Sequence, residues 1–180
     1  MTVDVDKAIA DLKEKMDCMP GAENKLTMIV FSGELDKQIA AMIIATGAAA
    51  MGMKVILFFT FWGTAALRDP AKRVGGKSFM GKMFGAMLPK GRNKLTLSKM
   101  NMAGMGTAML KGLMQKKNVA SLDQLFEVAG QLGVKIYICE MSMDLMGFRK
   151  EEMIDYPDLE VCGVATMLGH AKESAIQFFI

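Results

Sequence analysis

The residues that invite chemistry lie in "VKIYICEMSMDLMGF", residues 134–148. An apolar, β-branched run ends at Cys139, and Glu140, Met141, Ser142, Met143 and Asp144 follow at once. A thiol at a strand end, with a helix starting within a few residues, feels that helix's N-terminal dipole, which favours the nucleophilic thiolate. Glu140 works against this where its carboxylate lies close. No second cysteine follows two or three residues on, which argues against a thioredoxin-like dithiol. A lone exposed thiol in this place suits carrying a sulfur atom as a persulfide, by attack on a donor and later release. The same residue also suits a small hydrophobe finishing a strand, and the residues alone leave both readings open.

The other reactive side chains offer less. Cys162 falls inside a short expected strand and reads as buried and inert. Cys18 sits in the turn "DCMPG" with no evident activating neighbour. Three cysteines without CxxC spacing fit neither a disulfide framework nor a zinc site. His170, the sole histidine, falls on an expected helix with no acid or nucleophile placed beside it, so hydrolase chemistry has poor support. Cys139, Met141 and Met143 alternate, and thiolate and thioether ligands select Cu(I). With 20 methionines in 180 residues, however, such MxM pairs arise by chance, and no metal is expected. "VGGKS", residues 74–78, lacks the earlier glycine and preceding strand of a phosphate loop, so no cofactor is expected either.

These residues must be positioned by alternating elements. Residues 3–16 have an amphipathic helical spacing. "KLTMIVFSG" reads as a strand closing on Ser32 and Gly33, followed by a helix "KQIAAMIIATGAAAM" capped by Asp36 and stopped at Gly52. "KVILFFT" is a second strand, apolar on both sides as in a covered parallel sheet. "SLDQLFEVAGQLG" carries a capping box in Ser121 and Gln124, an apolar stripe and the stop Gly133. Strand "VKIYIC", a helix from about Ser142 to Ile154, strand "EVCGV", a helix over 165–175 and strand "QFFI" complete the series. The alternation predicts an α/β layered domain with a mostly parallel sheet of about five strands. Ligands in such sheets bind beyond the carboxyl ends of strands. Ser32–Gly33, Thr60 to Gly63 with Trp62, and Cys139–Glu140 occupy three such ends and are expected to converge.

Length and composition fit one domain over residues 1–180, with 52% hydrophobic and 23% charged residues. Residues 68–117 stand apart as a basic, Met- and Gly-rich insertion: twelve Lys or Arg against one acid, eight glycines and eight methionines. The remainder has ten bases and eighteen acids. A basic, Met-rich insertion suggests an adaptable surface for an anionic or hydrophobic partner, a membrane surface or another subunit. The absence of a recognition motif argues against nucleic acid. The apolar stretch 39–67 is read as helix then strand rather than a membrane span. An N-terminus of mixed charge without a signal-peptide pattern, together with the cysteine usage, points to a reducing cytoplasm.

"FSGELDK", "FFTFWG", "LSKMNMAGMGTAML" and "LGVKIYICEMSMDLMG", with the terminal "FFI", resemble the DsrE/DsrF/DsrH-like family over nearly the full length, specifically its DsrE2-type branch of sulfur-carrier and sulfurtransferase-type proteins. The resemblance implies a three-layer α/β/α sandwich that assembles into homo-oligomers. It also implies a cysteine that takes sulfane sulfur and passes it to a TusA-like or rhodanese-like carrier. That cysteine maps to Cys139; Met141, Ser142, Met143 and Asp144 match the motif without an assigned role. No "PxxxTxxC" pattern supports peroxiredoxin chemistry. The alternative is a non-catalytic oligomeric binding or assembly module in which Cys139 is structural.

Overall fold

The computed structural model describes residues 22–75 and 79–180, together with Ile9. Apart from Ile9, the helix expected over 3–16 lies outside the described residues, as do Cys18 and the Gly-Lys-Ser of "VGGKS".

Five strands form one sheet: β1 (Glu23–Val30), β2 (Lys54–Phe59), β3 (Lys135–Cys139), β4 (Leu159–Cys162) and β5 (Ser174–Phe179). The order is β4-β3-β2-β1-β5, and every pairing is parallel. Because strand side chains alternate between faces, the continuous apolar runs of β1, β2 and β3 feed two cores. Leu26, Met28 and Val30, with Leu57, Phe59, Ile136 and Ile138, meet helices α1 (Leu35–Ala50) and, further along the chain, α4 (Leu122–Gln131). On the opposite face Ile56, Phe58, Tyr137 and Cys139 pack under Met167 of α6 (Val164–Glu173). The chain steps outward from β1 to β4 and then crosses back to β5. A right-handed return requires the last helix to lie on the other face, so three α/β/α layers result.

Local signals explain most boundaries. Ser121 Oγ accepts the Gln124 N–H, and the Gln124 side chain accepts the Ser121 N–H, closing the expected capping box of α4. Asp36 behaves differently from expectation. Glu34 is the N-cap of α1, without a side-chain cap bond. Asp36 instead accepts Ser98 N–H at 2.8 Å and Ser98 Oγ–H at 2.5 Å, which clamps residues 95–100 against the start of α1. These hydrogen bonds hold its carboxyl below the ordinary range although burial opposes them.

The insertion contributes α2 (Phe79–Met87) and α3 (Met105–Lys116). Its anchor is Arg68, 3% exposed, which donates to the carbonyls of Gly85, Leu88 and Pro89, pairs with buried Glu152 at 3.5 Å and lies 4.6 Å over the Phe148 ring. Among the described residues no helix is long and apolar enough to cross a membrane.

Candidate functional site at the carboxyl end of the sheet

The register of β3 makes Cys139 its last residue, and α5 (Glu140–Met146) starts on the next one. Cys139 is therefore the N-cap, at φ −65° and ψ 115°, but its side chain makes no cap hydrogen bond. The helix expected over 142–154 is shorter and earlier. Gly147, at φ 63°, turns the chain left-handed and ends it after two turns, and residues 150–152 form a separate 3-10 turn.

Ser142 ties this junction to its neighbour. It is fully buried, its Oγ lies 2.9 Å from Thr60 Oγ1, and it accepts the Phe61 N–H at 3.0 Å. Phe61 is held at φ 43°, a strained value for a non-glycine residue, at the entrance to the 3-10 helix Phe61–Leu67. Next to it, Gly63 donates to the Phe31 carbonyl at 2.8 Å. A Cβ on Gly63 would sit 2.3 Å from the Val30 carbonyl oxygen, so no side chain fits there. Ser32 accepts a 2.6 Å hydrogen bond from the Gln38 amide, while Gln38 Oε1 is buried without a partner. The ends of β1, β2 and β3 are thus laced together through backbone and hydroxyl groups.

The expected pocket residues divide accordingly. Gly33 lies against the backbone of Trp62, Ser32 is bound instead to Gln38 and the Ile180 carbonyl, and Ser142 meets Thr60 and Phe61. Trp62, Glu140, Met141 and Asp144 are exposed, whereas Met143 points into the core. Met141 and Met143 therefore do not share a face with Cys139, because the strand stops at the cysteine. Among the described residues no group of three His, Cys, Asp or Glu side chains is placed to hold a metal ion. A groove of about 450 Å³ between α1, α3 and α4, lined by Leu35, Ile39, Lys111, Met114 and Leu122, contains none of the expected site residues.

Cys139 itself is 5% exposed, so the thiol is not presented to solvent as expected. Its side chain turns to the α6 face, among Ile56, Phe58, Tyr137 and Met167. Two positions back on that face, Tyr137 OH lies 3.2 Å from His170 Nε2, and the two rings stack at 5.4 Å. Burial, followed by the nearby charges of Lys25 and Lys54, lowers the His170 pKa. His170 is thus engaged by a tyrosine rather than by a nucleophile.

One functional candidate escaped the sequence reading. Cys162 is the register partner of Cys139 on β4 and packs against the same cluster. It is a free, partly exposed thiol rather than a buried one. Burial raises its pKa, and the adjoining Cys139 adds to this, while a hydrogen bond from Thr166 acts in the opposite direction. The signal was present in "IYIC" and "LEVC", two short strands each ending in cysteine where a helix is about to begin.

Comparison with known proteins places these features in a family. Residues 22–179 match the model of the DsrE/DsrF/DsrH-like family. The chain is 47% identical over 156 residues to the uncharacterized protein YrkE of Bacillus subtilis, covering 87% of this chain and 96% of that one. It is 37% identical over 163 residues to the sulfur carrier protein DsrE2 of Allochromatium vinosum, covering 88% and 99%. The crystal structure of the ychN protein from E. coli shares the fold, with a TM-score of 0.50 at 10% identity, over 87% of this chain and 98% of that one. With its all-parallel five-stranded α/β sheet, the chain belongs to the DsrE/DsrF/DsrH-like family.

Proposed function

We propose that the protein is a sulfur carrier that holds sulfane sulfur as a persulfide on Cys139. The observation that carries this reading is the position of Cys139 as last residue of β3 and N-cap of α5, within a chain akin to a sulfur carrier protein over 88% of its length. In loading, the Cys139 thiolate attacks the outer sulfur of a donor persulfide. A new S–S bond forms at Cys139 Sγ, the donor's S–S bond breaks, and the donor leaves as a thiolate. Unloading is the same exchange, with an acceptor thiolate attacking the outer sulfur and Cys139 leaving. No net oxidation occurs. A TusA-like or rhodanese-like carrier in a reducing cytoplasm is the fitting partner, and Ser142, Thr60 and Phe61 hold the junction in place meanwhile.

A second reading has its own observation. The insertion exposes Phe79, Met83 and Met87 on α2 and Met105, Met109 and Leu113 on α3, each set at four-residue spacing on one helical stripe. Such stripes suit an assembly module, with a homo-oligomer contact or a docked partner over them. The two readings separate by peptide mapping after incubation with inorganic polysulfide and alkylation. A carrier yields a Cys139 peptide bearing one extra sulfur. An assembly module leaves Cys139 unmodified until the protein is unfolded.

A further inference from the structure

A carrier thiol buried to 5% exposure poses a problem of delivery, and the sheet supplies an answer. Cys139 and Cys162 are Cα partners in the β3–β4 ladder, so both side chains leave the sheet on the same face. Neighbouring strands lie about 4.7–4.9 Å apart, and sulfur–sulfur bonds form across Cα separations of about 4.4–6.8 Å. The two thiols are therefore within reach of one shared sulfur atom. β4 is a four-residue edge strand, and Cys162 closes it. Beyond it stands Gly163, exposed, with nothing within 4 Å of where its Cβ would be, and then exposed Val164. A donor can approach Cys162 from this side without disturbing the core around Cys139.

We infer that Cys162 is the entry thiol of a two-cysteine relay, receiving sulfane sulfur at the surface and handing it inward to Cys139. This rests on the carrier reading of Cys139. In the handover the Cys139 thiolate attacks the outer sulfur of the Cys162 persulfide. The bond from Cys139 Sγ to that sulfur forms, the bond from Cys162 Sγ breaks, and Cys162 departs as a thiolate that takes up the proton Cys139 gave up. Oxidation states are unchanged, so no further reactant is needed. Burial and the adjoining thiol raise the Cys162 pKa, which keeps the discharged residue as a thiol at neutral pH, ready for the next donor only once deprotonated.

The test follows the added sulfur with time, using inorganic polysulfide on the full chain, quenching by alkylation and mapping peptides. In the wild type, sulfur is expected on the Cys162 peptide first and on Cys139 later. Cys139→Ser is expected to retain it on Cys162. Cys162→Ser and Cys162→Ala are expected to load Cys139 at least about tenfold more slowly, as befits a buried thiol. The two variants, each checked for native circular dichroism, guard against a folding defect in one. Loading of Cys139 at the wild-type rate in either folded Cys162 variant overturns the relay and leaves the carrier intact. Absence of sulfur on Cys139 in the wild type overturns both.

Discussion

Two regions of this molecule use the same residue type in opposite ways. In the sheet and the elements packed on it, Met28, Met42, Met143, Met146 and Met153 are buried as interior filler, and Ser142, buried beside them, is tied down by Thr60 and Phe61. In the basic insertion, Met87, Met105 and Met109 are about two-thirds exposed or more, on helices whose other exposed groups include Lys82 and Lys116. A flexible thioether fills irregular gaps in a core and adapts to an unspecified partner on a surface. The composition alone cannot tell these uses apart, since burial is decided by which elements pack together. The junction is built to hold one geometry, whereas the insertion offers an apolar face rimmed by positive charge.

The largest effect is expected where the two regions join. Arg68→Ala leaves the Glu152 carboxylate buried without its guanidinium and releases the Gly85, Leu88 and Pro89 carbonyls. Removing one member of such a pair costs about 3–5 kcal/mol, read as a lower midpoint in urea. A loss below about 1 kcal/mol would mean that the insertion is not held by this anchor. Next, Ser142→Ala strands Thr60 Oγ1 and the Phe61 N–H, at a cost of about 1–3 kcal/mol. It should also slow sulfur loading at Cys139, because the turn that fixes α5 is loosened. Unchanged stability and loading together would show that the hydroxyl link is dispensable.

A pH series separates the thiols. The Cys162 pKa is raised, so little thiolate exists near neutrality. Its alkylation is expected to lag behind that of free cysteine at pH 7 and to climb about tenfold per pH unit until the raised pKa is passed. Glu160 and Glu140 contribute to this shift, so neutralising either should bring the climb to lower pH. Rapid alkylation at pH 7 would contradict the picture. The smallest effect on stability belongs to the insertion. Met105→Ser with Met109→Ser should change stability by no more than about 0.5 kcal/mol per site. The same pair should weaken whatever contact the stripe makes, as read by sedimentation. If both readouts stay unchanged, the stripe is an ordinary surface.

Much of the fold was legible because local rules fixed it. Apolar runs such as "KLTMIV" and "KVILFF" could be satisfied only as covered strands, and Ser121, Gln124 and Gly133 mark the limits of α4 as written. Asp36 was misread because its partner, Ser98, lies 62 residues away and outcompetes the local cap. α5 ends before the end of the expected 142–154 range because Gly147 adopts φ 63° and turns the chain left-handed. The site was legible in its main residue and illegible in its surroundings. Strand alternation allowed Cys139 either face; the α6 face was selected by Met167, which arrives from a later helix. The pairing of Cys139 with Cys162 is a matter of register between strands 23 residues apart, and no motif spacing encodes it.

The most direct measurement of the central claim is a loading and discharge cycle followed by intact mass spectrometry. The reduced protein is incubated with inorganic polysulfide, desalted and then mixed with an acceptor thiol, beside Cys139→Ser. The wild type is expected to gain sulfur, to hold it on Cys139 in the peptide map at equilibrium and to give it up to the acceptor, whereas the variant is expected to hold sulfur on Cys162 alone and to deliver less to the acceptor. Equal gain and equal delivery in wild type and variant would contradict Cys139 as the carrier.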